Sequence, residues 1–173
     1  YVDLPSKPGV PESDDGRNLH RANLIDRDYY GSYAYDGTGV AVAINDDGPV
    51  GPHIDFTGRA NQQTAGGGTG THGDMTVGIV GAAGNLDPTM RGMAVGAYLH
   101  VRAYNSSLPG TIALHQDSAV MVFSSSYSNG CNAGYTTLTR TVDQEIYGNP
   151  SLLQVFSAGN SNNQDCGYGA GNQ

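Results

Sequence analysis

The sequence predicts an α/β fold, a three-layer sandwich in which helices cover both faces of a central, mostly parallel sheet. Four short apolar runs, rich in Val, Ile, Leu or aromatic residues, indicate strands at 40–44, 98–104, 119–123 and 152–156. Their apolarity is continuous rather than alternating, which is typical of strands buried on both faces. Because helix-like stretches separate the runs, right-handed strand–helix–strand units are the expected connections.

Three stretches between these runs indicate helices. Residues 72–83 contain apolar side chains at helical spacing, and 111–116 follow a Pro-Gly pair. Residues 135–147 end at a Gly-Asn-Pro sequence, which is a helix stop signal. The stretch 61–71 contains three consecutive glycines and predicts a flexible loop.

The chain is expected to form a single domain. Its 173 residues suffice for one hydrophobic core, and no internal repeat divides them. Residues 1–36 are polar and contain three prolines, so we expect an extended arm over the core, with a short helical piece near 19–29. The α/β core then spans 37–173.

Composition argues against some functions. The chain has 26 glycines, only 14% charged residues and a net charge of −8. This acidity argues against a nucleic-acid partner, which would require a basic patch, and it leaves carboxylates available for hard cations such as Ca²⁺. No apolar stretch reaches the roughly 18 residues of a membrane span, so no membrane partner is expected.

The processing state and the cysteines indicate a compartment. The sequence begins at Tyr1 without a charged and apolar leader, so any signal or pro-segment is expected to have been removed. Cys131 and Cys166 would be inert thiols in the cytosol, but in a processed, acidic, Gly/Ser/Asn-rich chain they favour a disulfide. Together these features predict a secreted protein, extracellular or periplasmic.

Two residues lie where acid–base chemistry would be placed. Asp46 follows the strand at 40–44, at the carboxyl end where functional residues of parallel sheets lie. His72 starts a predicted helix next to Gly73, whose lack of a side chain permits close approach of another backbone. Alone, Asp46 would be a turn cap and His72 a solvated histidine. As an ordered Asp–His pair they indicate two members of a catalytic triad.

Polar residues also follow two later strands. Asn160 ends a Ser-Ala-Gly-Asn sequence and would either donate its amide to an oxyanion or simply occupy a turn. Ser126, Tyr127 and Ser128 form either a polar loop or a free edge that pairs with a peptide backbone. No Gly-x-Ser-x-Gly elbow occurs, so none of these serines is identified as a nucleophile.

In their order, these motifs resemble the subtilases, the subtilisin-like serine peptidases, over residues 37–173. The resemblance implies that residues 1–173 form the N-terminal part of a single subtilase catalytic domain. The chain has Val-Ala-Ile-Asn-Asp-Asp-Gly at 42–48, His-Ile-Asp-Phe at 53–56, Thr-His-Gly at 71–73 and Ser-Ala-Gly-Asn at 157–160. A Gly-Met-Ala-Val-Gly-Ala segment at 92–97 also resembles a connector of the family. The Asp-Asp-Gly and Ser-Tyr-Ser sequences resemble the kexin/furin branch.

The resemblance implies a role for each candidate residue. Asp46 would orient His72, which would act as the general base toward a serine that this chain lacks. Asn160 would be the side-chain oxyanion donor. Substrate would be bound by Asp47 and by a groove edge, whose residues are Ser126, Tyr127 and Ser128.

The resemblance also implies stabilising features. A structural Ca²⁺ would be bound by Asp55, with a further side-chain oxygen from Asn85 or Asp87. Cys131 follows Ser126 by five residues and Cys166 follows Asn160 by six, each beyond a predicted strand. If those strands are neighbours, a Cys131–Cys166 bridge would brace the rim of the specificity pocket.

Three positions depart from the family pattern. Asp74 follows the His-Gly pair where the family has Thr, and its carboxylate would either raise the pKa of His72 or act only at the surface. Tyr127 is followed by Ser128 where glycine is usual, so the groove edge carries a side chain. Kexin-type enzymes surround their first specificity pocket with carboxylates. Near Asn160 in this sequence the only carboxylate is Asp165, so strict specificity for basic residues is not expected.

Two functions of different kinds follow. One is a secreted serine endopeptidase that hydrolyses protein or peptide substrates through an acyl-enzyme, with its serine on a separate C-terminal chain after a nick or autoprocessing. The other is a catalytically inactive subtilase-like binding module. A metal-dependent hydrolase is less favoured because no two of its candidate ligands are histidines on one helical face. Those ligands are Asp46, His53, Asp55, His72 and Asp74.

Overall fold

A parallel sheet of five strands forms the centre of the computed structural model, which describes residues 13–26, 34–66, 71–104, 110–127 and 134–158. The strands of this part are β1 Ala41–Asp46, β2 Ala60–Thr64, β3 Tyr98–Ala103, β4 Val120–Ser125 and β5 Leu153–Phe156. The helices are α1 Ser13–Leu19, α2 Ala22–Ile25, α3 His72–Gly81, α4 Thr111–Ser118 and α5 Thr137–Gly148, with 3₁₀ turns at Ile54–Phe56 and Pro88–Met90.

The sheet has the order β2-β3-β1-β4-β5, so β1 lies in the middle and pairs in parallel with both β3 and β4. Side chains of β1 alternate between two cores. Val42 and Ile44 pack in one core that includes Val77 of α3, whereas Ala43 packs in a second core with Phe123. Ile112 of α4 borders that second core. Helices therefore cover both sheet faces, which confirms the predicted three-layer α/β fold.

The predicted strands and helices are found with shifts of a few residues at their ends, but β2 was not predicted. Residues 61–71 were expected to form a flexible loop, and that prediction is wrong for 61–64, which belong to β2 at the sheet edge. The β2 sequence Ala-Asn-Gln-Gln-Thr has no apolar run, because an edge strand need not bury both faces. Residues 67–70 lie outside the described residues.

The expectation of an extended arm is also wrong in part, since α1 starts at Ser13, earlier than the helical piece predicted near 19–29. The reason is a buried polar anchor. Arg17 is only 2% exposed and donates to the carboxylate of Asp26 and to the carbonyl of Gly92. Arg91 lies 3.4 Å from the same Asp26 carboxylate. These contacts fix both N-terminal helices against the 88–93 region.

In the ranges that the structure describes, we find no helix that combines the length and apolarity required to cross a membrane.

Candidate active site

The site is built where β1 ends and α3 begins. Asp46 is the last residue of β1, and His72 is the first residue of α3. In the sheet order, the chain leaves β1 toward β2 on one side and leaves the adjacent β4 toward β5 on the other side. The crevice at the carboxyl end of such a strand is the usual ligand site of an open parallel sheet. The backbone topology alone therefore places this Asp–His pair at a functional position.

Asp46 and His72 are joined by a short hydrogen bond of 2.7 Å between Oδ1 and Nδ1. Asp46 is 2% exposed, whereas the side chain of His72 is 48% exposed. An ionised carboxylate can only accept, so Nδ1–H donates and neutral His72 keeps the lone pair of Nε2 for a proton from outside. The bond to Asp46 raises the pKa of His72, and the charge of Asp47 adds to the effect.

Asp46 receives two further hydrogen bonds. Its Oδ1 also accepts from the backbone N–H of Asp47 at 2.9 Å, and its Oδ2 accepts from Thr76 Oγ1 at 3.0 Å. Thr76 lies one helical turn after His72 on α3. The sequence reasoning missed Thr76; its spacing of four from His72 was the available signal, because residues i and i+4 share one helix face.

Asp47, which was predicted to bind substrate, anchors the start of α3. Its Oδ1 accepts from the backbone N–H of Gly73 at 2.7 Å. The N-cap residue Thr71 makes no side-chain cap, so Asp47, in the turn after β1, supplies the acceptor that the helix start requires. A Cβ on Gly73 would lie 2.9 Å from that oxygen and 3.2 Å from the carbonyl of Gly48. Glycine is therefore required for this close approach of α3 to the β1 turn.

Asp74, which departs from the family pattern beside the histidine, is exposed on the first turn of α3. The charges that raise the pKa of His72 come from Asp46 and Asp47. Of the two roles predicted for Asp74, the surface position is the one found.

The end of β4 lies next to that of β1. Asn45 Nδ2 donates to Ser125 Oγ at 3.1 Å, and both residues are buried. Because β4 has β1 on one side and β5 on the other, the strand Val120–Ser125 has no free edge, whereas the edge proposed for Ser126, Tyr127 and Ser128 remains a prediction. Ser126 and Tyr127 follow the strand and are half-buried, and the ring of Tyr127 lies 5.2 Å from that of Tyr104 at the end of β3.

Four predicted site residues lie outside the described residues: Ser128, Cys131, Asn160 and Cys166. The oxyanion role of Asn160, the substrate contact of Ser128 and the disulfide remain predictions.

Two of the three predicted calcium residues, Asp55 and Asn85, contact each other, whereas Asp87 does not join them. Asp55 is buried and accepts from the backbone N–H of Asn85 at 2.7 Å, while the Asn85 side chain donates to the carbonyl of Ile54 at 3.3 Å. The carboxylate of Asp87 instead caps its own 3₁₀ turn, accepting from the Thr89 N–H at 2.9 Å. The Asp55 carboxylate and the Ile54 carbonyl are oxygens of the kind that Ca²⁺ binds, and in this structure both accept hydrogen bonds from Asn85.

A transition-metal site gains no support from the described ranges, in which no group of three or more His, Cys, Asp and Glu side chains is arranged to hold a metal ion. His53 lies 3.8 Å from the Asp55 carboxylate, and His72 contacts Asp46. Four of the five ligand candidates therefore meet only in pairs, His53 with Asp55 and His72 with Asp46.

A parallel α/β sheet with an Asp–His pair at the carboxyl end of its middle strand, in that chain order, defines a hydrolase-type acid–base site. Residues 37–173 match Peptidase S8, the subtilase family, and the chain belongs to that family. It carries a subtilase-type peptidase domain, as the sequence motifs predicted.

One solved structure has a fold similar to that of this chain. The CspB protease of Clostridium perfringens superimposes with a TM-score of 0.65 at 18% sequence identity, over 84% of this chain. The chain spans 40% of the length of that structure. No curated protein matches the sequence.

Proposed function

We propose that this chain supplies the aspartate and histidine of a subtilisin-like serine endopeptidase whose nucleophilic serine lies on a separate C-terminal chain, produced by a nick. The observation that carries the proposal is the 2.7 Å bond between the buried carboxylate of Asp46 and the exposed imidazole of His72. This arrangement leaves Nε2 directed away from Asp46, as a general base requires.

In the proposed mechanism, His72 Nε2 removes the proton of the serine hydroxyl while the serine oxygen attacks the scissile carbonyl. Asp46 stabilises the imidazolium that forms, and Asn160 donates to the oxyanion. His72 then returns the proton to the leaving amine, so that an acyl-enzyme remains. Water attacks the acyl-enzyme with His72 again as base, which releases the second product and restores the serine.

An uncovered apolar surface supports the presence of further polypeptide. In the sheet register Leu153 and Val155 pair with Val122 and Ser124, whose β1 partners Val42 and Ile44 face α3. Yet Leu153 is 54% and Val155 46% exposed. On α3 itself, Met75 is 59% and Ile79 52% exposed. A further helix beside α3 would bury both sets, and burial of apolar surface is the main driving force for such packing.

The substrate groove is proposed to run along Ser126, Tyr127 and Ser128, with Tyr104 beside it. The ring contact between Tyr104 and Tyr127 supports an apolar wall there. Structural Ca²⁺ at Asp55, a Cys131–Cys166 disulfide and an extracellular or periplasmic location belong to the same proposal. Protein or peptide substrates are the expected partners.

Mass spectrometry of the purified native protein tests the proposal. A native mass above the 18.0 kDa of this chain, with a second polypeptide carrying a Gly-Thr-Ser segment released on denaturation, is the expected result. A folded species consisting of this chain alone would contradict it and favour the inactive binding module.

Activity provides the second test. His72→Gln and Asp46→Asn should each lower peptide hydrolysis by several orders of magnitude, since replacing a triad aspartate by asparagine lowers kcat about 10⁴-fold in chymotrypsin-type enzymes. Asp74→Asn is the matched control, because Asp74 is an exposed carboxylate two residues from His72, and it should retain near-normal hydrolysis. Equal losses in all three variants would argue against the assigned roles.

A further inference from the structure

The two oxygens of the Asp46 carboxylate accept hydrogen bonds from different donors. Its Oδ1 accepts from both the Asp47 N–H and His72, whereas Oδ2 accepts from Thr76 Oγ1 at 3.0 Å. In the described part of the chain, Thr76 is the donor found on Oδ2. A buried carboxylate oxygen without a donor is costly, so the hydroxyl of Thr76 satisfies a real requirement of Asp46.

Thr76 has a second acceptor within reach, the carbonyl of Gly73 at 3.1 Å. A hydroxyl carries one proton, and a helical threonine often donates it back to such a carbonyl. The Gly73 carbonyl, however, is inside α3 and has the N–H of Val77 as its regular helical partner. A bond to an ionised carboxylate is also the stronger of the two choices. The geometry therefore favours Asp46 as the acceptor.

We propose that Thr76 is a positioning residue, whose hydroxyl fixes the plane of the Asp46 carboxylate so that Oδ1 faces His72 Nδ1. The arrangement rests on geometry alone, and only its catalytic consequence rests on the proposed function. His72 and Thr76 lie one turn apart on the same face of α3, so one helix carries both the base and the group that orients the partner of the base.

The direct test is the tautomer of neutral His72, measured by ¹⁵N NMR of histidine-labelled full-length protein at a pH above the His72 pKa. The wild type should be mainly the Nδ1–H tautomer, because Asp46 accepts from Nδ1. Thr76→Val removes the hydroxyl at nearly constant shape and should lower the Nδ1–H fraction by about half or more. Thr76→Ser should restore it. Thr76→Ala serves if the valine variant does not fold.

Thr141→Val is the matched control. Thr141 Oγ1 donates to the carbonyl of Thr137 at 3.1 Å in α5, so this change removes a helix back-bond that involves no carboxylate. It should leave the His72 tautomer unchanged. An unchanged Nδ1–H fraction in folded Thr76→Val, or in folded Thr76→Ala, would overturn the proposal and leave Thr76 as a helix back-bond.

A kinetic measurement separates this inference from the proposed function. If the protein hydrolyses peptides, Thr76→Val should lower kcat with little change in KM, and Thr76→Ser should recover most of it, because the change affects the orientation of the base and not the groove. If the protein hydrolyses nothing, the proposed function fails, while the tautomer result still decides the role of Thr76.

Discussion

His72 is the residue at which pH acts most directly on the site. Its pKa is raised above the ordinary value of about 6.5, chiefly by the hydrogen bond to Asp46. We expect Asp46→Asn to lower the pKa of His72, as followed by NMR titration of the imidazole. Asp74→Asn, an exposed change on the same turn, should move it much less. A wild-type His72 pKa at or below about 6.5 would contradict this prediction.

The same raised pKa affects stability with a definite sign. Protonated His72 favours the folded state, so its contribution is fully present below the unfolded pKa of about 6.5 and is lost as pH rises through the higher folded pKa. The free energy of unfolding, compared between wild type and Asp46→Asn at about pH 5.5 and about pH 8.5, should differ more at the lower pH. A larger difference at the higher pH would contradict the assignment.

Sequence reasoning found part of this site and missed another part for a physical reason. Asp46 and His72 were predictable because a strand end and a helix start are encoded locally and their order is diagnostic. The contacts of Thr76 with Asp46 and of Asp47 with Gly73 were not predicted. The spacing of four places Thr76 on the same face of α3 as His72, but both contacts depend on how closely α3 docks on the turn after β1, and this tertiary relation is not encoded by local spacing.

At the scale of single elements, α3 offers a matched pair of glycines. Gly73→Ala would push a Cβ to 2.9 Å from Asp47 Oδ1 and disturb the helix cap, so we expect a loss of at least about 2 kcal/mol in unfolding free energy. A Cβ on Gly78 meets nothing within 4 Å, so Gly78→Ala should stabilise by roughly 0.5–1 kcal/mol. Urea unfolding measures both, and equal effects would contradict the close approach at Gly73.

The loop that joins β1 to β2 provides the test of calcium. We expect Ca²⁺ to raise the Tm of the wild type and a chelator to reverse the increase, because the Asp55 carboxylate and the Ile54 carbonyl provide oxygen ligands beside Asn85. Asp55→Asn should abolish the response. Asp87→Asn should retain it, since Asp87 caps its own turn. A wild-type Tm that does not respond to Ca²⁺ would count against the site.

The elements themselves were predictable to different degrees. The interior strands β1, β3 and β4 were visible as apolar runs, and in β1 both faces are buried, as Val42 in one core and Ala43 in the other illustrate. The edge strand β2 was invisible because its sequence is polar. Its position is fixed by a contact just before the strand: the Arg59 guanidinium donates to the carbonyls of Gly81 and Ala97 at 2.7 and 2.8 Å.

At the scale of the whole molecule, Arg17 and Asp26 tie the N-terminal helices to the core. Arg17→Met would leave the buried Asp26 carboxylate with Arg91 as its remaining ion-pair partner, and breaking a buried pair costs about 3–5 kcal/mol. We expect a loss near the lower end, about 3 kcal/mol, in urea unfolding. Arg140→Met, on the exposed surface of α5, should change stability by less than about 0.5 kcal/mol. Equal losses would mean that the anchor contributes little.

The position of β1 has a consequence for how this chain reaches its structure. Ala41 pairs with Tyr98 on one side and with Val120 on the other, so the centre of the sheet forms only after long loops have closed. Closing these loops costs chain entropy before the strand contacts can offset that cost, so a sheet with parallel pairing of this kind forms slowly. During that delay, the apolar residues 41–44 of β1 are exposed and both edges of the strand are unpaired. The step that governs yield is therefore expected to be kinetic competition between sheet assembly and aggregation.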